Sequence, residues 1–155
     1  MQDLNKLILE ASRYKNKLIT NPDGTPRVYY HGSHEDFSKF KDPEHDWKAH
    51  FFTTDKGQAM HYASSRAEKA GKPHGYLHKV HLSATHVLET DTTNNYSGDI
   101  QYVRTTKKYN AVSGPTHDGP NNPHHNMGVL HSSQIHHLGT EKVELEAKGE
   151  SHWKP

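Results

Sequence analysis

The chain has 155 residues, with 19 Lys and Arg against 18 Asp and Glu, 16 His and no Cys. That length allows one core, the formal charge of +1 argues against nucleic-acid binding through a basic face, and the missing cysteines remove disulfide frameworks and thiolate zinc sites, which permits a cytoplasmic location. Leu, Ile, Val and Phe make up only about 16% of the residues, a level at which disorder competes with folding. Disorder also needs a high net charge, and four Phe, eight Tyr and two Trp supply large buried areas. The reading is a small, polar, ordered single domain over residues 1–155, with long loops.

Apolar runs stop at three residues, as in Leu7-Ile8-Leu9, far short of the ~18 that span a membrane. Residues 1–17 lack the uninterrupted apolar stretch of a secretory signal. No membrane partner is expected. The sixteen histidines would carry the net charge from +1 toward +17 if all protonated. They contain no HExxH pair, and the doublets His124-His125 and His136-His137 point their members to opposite faces of a strand. No metal is expected; a histidine-rich metal-binding or pH-responsive protein is the alternative from another class.

In chain order, Leu4, Leu7, Ile8, Ala11 and Tyr14 have helical spacing and predict an amphipathic helix over Asp3 to Lys17. Asn21-Pro22-Asp23-Gly24-Thr25-Pro26 is turn chemistry, and Arg27 to His31 reads as a strand. Ser33 to His50 reads as a loop whose Phe37, Phe40 and Trp47 tuck against the body. Phe51 to Thr54 is a second strand, after which Thr54 or Asp55 caps a helix running to about Ala70, stopped by Gly71-Lys72-Pro73. Gly75 to Leu82 alternates as a strand, and His86 to Glu89 is another. Asp91 to Gly98 reads as a loop, Ile100 to Val103 as strand or helix, and Tyr109 to Val112 as a strand. Three proline-containing turns make Ser113 to Asn126 a long irregular loop. Met127 to His131 returns to strand character, Ser132 to Ile135 turns into a last strand ending near Leu138, and residues 139–155 form a late strand and loose tail.

Several of these blocks, in their order, resemble a known family. They are Asp23-Gly24-Thr25-Pro26 before Tyr30-His31-Gly32-Ser33, then Phe51-Phe52-Thr53 leading into a helix with Ala59 and Tyr62-Ala63, then Gly75-Tyr76 with Val80 and Leu82, and a closing strand before Ser133-Gln134-Ile135. Over about residues 20–138 the chain resembles the ADP-ribosyltransferase superfamily, in particular the branch found in phage polyvalent and Mu-type head-associated proteins. The resemblance implies an α+β fold built on a split, mostly antiparallel β-sheet pair, with an N-terminal helix and a helix after the second motif strand. It implies NAD as substrate and a catalytic set of His31, Tyr62 and Asn126. The implied NAD-binding set is His31, Gly32, Ser33, Phe51, Phe52, Thr53 and Tyr62.

Breaking the bond between nicotinamide and ribose passes through an oxocarbenium-like transition state, so the site has to orient the ribose and stabilise positive charge. By resemblance, His31 bonds a ribose hydroxyl, Gly32 lets the carboxamide dock on the backbone, Tyr62 stacks on nicotinamide with Phe51 opposite, and Thr53 supports the strand edge through its hydroxyl. Each residue also has a plain structural reading: one histidine among sixteen, a helix-face tyrosine, ordinary strand packing.

One position departs from the family. Many active members carry a Glu at the start of the last strand, and setting Ser133-Gln134-Ile135 on the family's Ser-Gln-Ile puts Asn126 there. Asn bonds a hydroxyl but carries no charge, a loss of roughly 2 to 4 kcal/mol in transition-state stabilisation by analogy with removing one preorganised group. Three outcomes follow: transfer of one ADP-ribose helped by an acidic acceptor, a carboxylate supplied by Asp118 or Glu141, or nucleotide binding without turnover. A reaction like that of the RNA 2'-phosphotransferases, using His with Arg27 or Arg104, is a further possibility that the charge of +1 does not support. The leading reading is an NAD-dependent mono-ADP-ribosyltransferase of phage or mobile-element type, acting on a host protein or nucleic acid in the host cytoplasm.

Overall fold

The computed structural model describes residues 16–43, 49–90, 96–115, 124–147 and 149–153. The helix expected over Asp3 to Lys17 falls outside the described residues except at its end. There the chain is extended instead: β1 (Lys17–Leu18) pairs antiparallel with Ala84 and Ser83. The remaining elements are β2 (Tyr29–Ser33), β3 (His50–Thr53), α1 (Lys56–Lys69), β4 (His74–Ala84), β5 (Val87–Glu89), α2 (Tyr96–Thr106), β6 (Ala111–Pro115), β7 (His125–Val129) and β8 (Ile135–Glu144), with a 3-10 turn at Ser132–Gln134. The fold is mixed α+β. Its strands run in the order β1-β4-β2-β3-β7-β6-β5, with β8 also paired to β4. All pairings are antiparallel except that of β5 with β6.

Several expectations are settled or corrected. The helical alternative at Ile100 to Val103 is the right one, and α2 begins at Tyr96, inside the stretch read as loop. Ile100 and Val103 are fully buried against Val112 and Leu130, so packing of that stripe outweighs the polar residues before it. The loop read from Ser113 to Asn126 is trimmed at both ends, because Ser113 pairs with Met127 and Gly114 with Asn126 across the sheet. The late strand is not separate: β8 continues from Ile135 to Glu144 along β4, with a register shift at Lys79/Val80. The segment after it is docked, since the indole nitrogen of Trp153 donates to Asp55 at 3.0 Å and Glu146 meets His61 at 2.8 Å.

Alternation along the strands divides the core between the two sheet faces. On one face Tyr29, Phe52, Val80, Leu82, Met127 and Val129 form the main core, closed by Phe40 and Phe37 from the loop after β2 as expected, while Trp47 lies outside the described residues. On the other face, α1 lays Ala59 and Ala63 against Leu77 and Val143. Asp55 is the cap of α1, accepting from the Gln58 N–H. The helix sits close to the sheet because two glycines lie beneath it. A Cβ on Gly32 would stand 2.1 Å from the Ala59 carbonyl oxygen, and one on Gly75 2.4 Å from that of Ala63. No described helix is long and apolar enough to cross a membrane.

Candidate active site

β2 and β3 are joined by a single residue pair, Tyr30 with Thr53, whereas β2 pairs with β4 over five residues. Beyond that pair the strands part, and α1, which follows β3, crosses the opening. A cavity of about 320 Å³ lies there, at the lower end of the size range of small-molecule sites. That is room for a ring and part of a sugar rather than a whole dinucleotide.

Its walls come from four elements. Tyr30, His31 and Gly32 belong to β2, and Phe51, Phe52 and Thr53 to β3. Gln58, Ala59, Tyr62 and Arg66 come from α1, and Asn126 from β7. His31 and Phe52 face the main core while Tyr30, Gly32 and Phe51 face the helical side, so the cavity occupies the parting itself rather than one sheet face. The structure thus brings together His31, Gly32, Phe51, Phe52, Thr53, Tyr62 and Asn126. It leaves out Ser33, which is buried, accepts from the Glu35 N–H at 3.0 Å, and lines a separate depression with His34 and Lys69.

His31 spans the opening. Its Nδ1 lies 2.8 Å from the Phe51 carbonyl oxygen, and its ring packs at 5.3 Å from Phe40 and 5.4 Å from Phe52. A carbonyl can only accept, so Nδ1 carries the proton and Nε2 of the neutral ring is an acceptor. Burial pushes the His31 pKa down to about 3, against the opposing effect of the Phe51 hydrogen bond. At neutral pH the site therefore holds an uncharged imidazole with one free acceptor nitrogen.

Gly32 is explained by packing before any ligand is considered, since its missing side chain makes room for the backbone of α1. Its carbonyl accepts from Arg66 Nη1 at 2.7 Å, tying the helix to the strand. Phe51 and Tyr62 are 40% and 37% exposed, and both line the cavity. Phe51 also covers Gly128, where a Cβ would stand 2.9 Å from its ring. The hydroxyl of Thr53 accepts from the Asp55 N–H at 3.0 Å, holding the turn from β3 into α1.

Asn126 pairs with Thr53 on one side and Gly114 on the other. Its Oδ1 is buried with no hydrogen-bond partner. Among the described residues no carboxylate lines the cavity. Of the two carboxylates considered from sequence, Asp118 lies outside the described residues, and Glu141 sits on β8 at 3.5 Å from Lys56 Nζ, away from the cavity. His125 is exposed and lines a separate depression with Arg27 and Tyr30. Among the described residues, no three His, Asp or Glu side chains gather in a way that could hold a metal ion.

Sequence reasoning missed Tyr30, Gln58, Ala59 and Arg66. Gln58 and Arg66 stand one helical turn before and after Tyr62, and that i, i+4 spacing was the available signal. A family model described as ADP-ribosyltransferase in polyvalent proteins matches residues 21–116. No curated protein matches the chain.

Proposed function

Because the chain belongs to the family of ADP-ribosyltransferases in polyvalent proteins, we propose that the cavity takes the nicotinamide-ribose end of NAD and that the protein transfers one ADP-ribose unit to a host macromolecule. The observation carrying this reading is the convergence of an acceptor imidazole, two aromatic side chains and an orphaned amide oxygen on one cavity.

In this reading Tyr62 and Phe51 flank the nicotinamide ring, whose planar faces suit aromatic walls. Nε2 of His31 accepts from a ribose hydroxyl, and Oδ1 of Asn126 accepts from another. Holding both hydroxyls fixes C1' of the ribose toward the acceptor. The C1'–N bond then breaks, nicotinamide leaves as a neutral base with the bonding pair, and the acceptor's nucleophilic atom bonds C1' and releases its proton. Among the described lining residues the developing positive charge meets dipoles and the Arg66 guanidinium but no carboxylate, which slows turnover compared with a site holding a carboxylate. A host cytoplasm, where NAD is available, and a phage or mobile-element origin belong to the same proposal.

A second reading is binding of NAD or ADP-ribose without turnover, favoured by Asn126 and by the lack of a carboxylate among the described lining residues. One experiment separates the two: incubate the protein and its Asn126→Glu variant with labelled NAD and host lysate, measuring nicotinamide release and label transfer. Label transfer by the wild type supports the transferase. NAD binding with release only in Asn126→Glu supports the binder. Loss of wild-type release in Asn126→Glu identifies the amide as the working group. No binding at millimolar NAD removes both readings.

A further inference from the structure

Two glutamines are fully buried, Gln58 at 1% and Gln134 at 0% exposure, and their side chains are treated very differently. Oε1 of Gln134 accepts from the N–H groups of Leu130 and His131 at 3.2 and 2.9 Å. Its Nε2 donates to the carbonyls of Ser83 and Asn110 at 3.1 and 2.9 Å. It is a structural amide with its capacity filled. Gln58 has neither Oε1 nor Nε2 bonded to anything and both atoms are closed to solvent; the residue lines the cavity, so its amide meets a ligand by turning into that space. An amide desolvated without partners costs stability, and buried polar groups left unpaired are rare enough to require a reason.

Two other observations bear on that reason. On the Gly32 backbone, where the family resemblance would dock a carboxamide, the carbonyl already accepts from Arg66. The α1 backbone fills the space beside Gly32, so this stretch of backbone also holds the helix. The backbone at Gln58 is fixed in place, because its N–H donates to the Asp55 side chain at 3.2 Å and Asp55 is held in turn by Trp153 at 3.0 Å.

A free donor and a free acceptor on one planar amide are complementary to one chemical group above others, a primary carboxamide, which offers an acceptor and a donor in the same plane. We propose that Gln58 is the specificity-determining residue of this cavity, pairing amide to amide with the carboxamide of the base to be expelled and rejecting a carboxylate in its place. The proposal rests on the NAD reading above and names the residue that would select nicotinamide over nicotinic acid. With a carboxylate ligand, the Oε1 of Gln58 would face an oxygen without a proton. One hydrogen bond would be lost, and repulsion between two oxygen acceptors would replace it.

The test is calorimetric titration of the full chain, wild type and Gln58→Leu, with NAD, with nicotinic acid adenine dinucleotide, and with ADP-ribose, which lacks the base. The wild type is expected to prefer NAD over the acid by roughly 10- to 100-fold. Gln58→Leu should lose about tenfold in NAD affinity, lose the preference, and bind ADP-ribose unchanged. Its melting temperature should hold or rise, since leucine of similar volume removes an unpaired amide. Gln58→Met serves as the second variant if leucine does not fold in this position.

Equal wild-type affinity for the two dinucleotides overturns the proposal, as does unchanged NAD binding in the variants. Parallel loss of ADP-ribose and NAD binding, or a large drop in melting temperature for both variants, assigns Gln58 a structural role and also overturns it. A wild type that binds neither NAD nor ADP-ribose overturns the NAD reading itself, and this inference with it.

Discussion

Gly32→Ala tests whether the cavity depends on how closely α1 lies against β2. The added Cβ would stand 2.1 Å from the Ala59 carbonyl oxygen and 2.6 Å from the Ala63 nitrogen. Both are backbone atoms within a helix, so no side chain can rotate away. Ordinary contact begins at 3.4 Å, leaving a shortfall of about 1.3 Å that the helix itself has to absorb. The residues it presents to the strand are already alanines, Ala59 and Ala63, so the surface offers nothing to compress. The cost belongs at the upper end of the overpacking range, about 3 kcal/mol. At roughly 2–4 °C per kcal/mol for a chain of this size, the melting temperature should fall by about 6–12 °C. Gly139→Ala is the control, since nothing lies within 4 Å of its added Cβ, and its melting temperature should move by no more than about 1 °C. Gly75→Ala presses on Ala63 from the neighbouring strand, so the double variant should lose less than the two single losses together, one helix displacement relieving both clashes. Because α1 also carries Gln58, Tyr62 and Arg66 into the cavity, Gly32→Ala should weaken NAD binding as well. A melting temperature within about 2 °C of wild type would refute the close-packing argument.

Two further outcomes follow from the cavity. Burial holds the His31 pKa at about 3, whereas in the unfolded chain it titrates near 6.5. As pH falls below 6.5 the unfolded state takes up the proton first, so stability fully present at neutral pH is lost progressively down to about pH 3, at up to roughly 1.4 kcal/mol per pH unit. His31→Gln should flatten the dependence of the urea midpoint on pH between about 6 and 4, and an unchanged slope would contradict a buried neutral imidazole. Tyr62 is 37% exposed, so Tyr62→Ala should barely change the melting temperature. It should weaken NAD binding by about 1–3 kcal/mol if its ring stacks on the base; a stability loss with unchanged binding would make it a packing residue only.

Much of the site was legible because its chemistry is local. Tyr30-His31-Gly32 and Phe51-Phe52-Thr53 are short strands whose β-propensity and alternation fix which side chains share a face. Asp55 is a helix cap recognisable from its residue type and from the alanine-rich stripe that follows. What those blocks did not reveal was how they meet. The parting of β2 from β3 after one residue pair is a matter of register between strands about twenty residues apart. The same holds for Asn126, whose partners across the sheet are Thr53 and Gly114. Read along the chain it belonged to a loop rich in proline; pairing on both sides makes it strand.

Interactions within a few residues of one another were enough to mark the short motif strands and the helix capped by Asp55. Tertiary structure alone decided that α1 closes over two glycines from different strands, that Ser33 lies outside the cavity, and that residues after β8 dock on the cap of α1 through Trp153. It also decided which of two equally buried glutamines is structural and which is left open. Composition and spacing treat the two alike. Only the position of partners contributed by distant strands satisfies Gln134 and leaves Gln58 to the cavity.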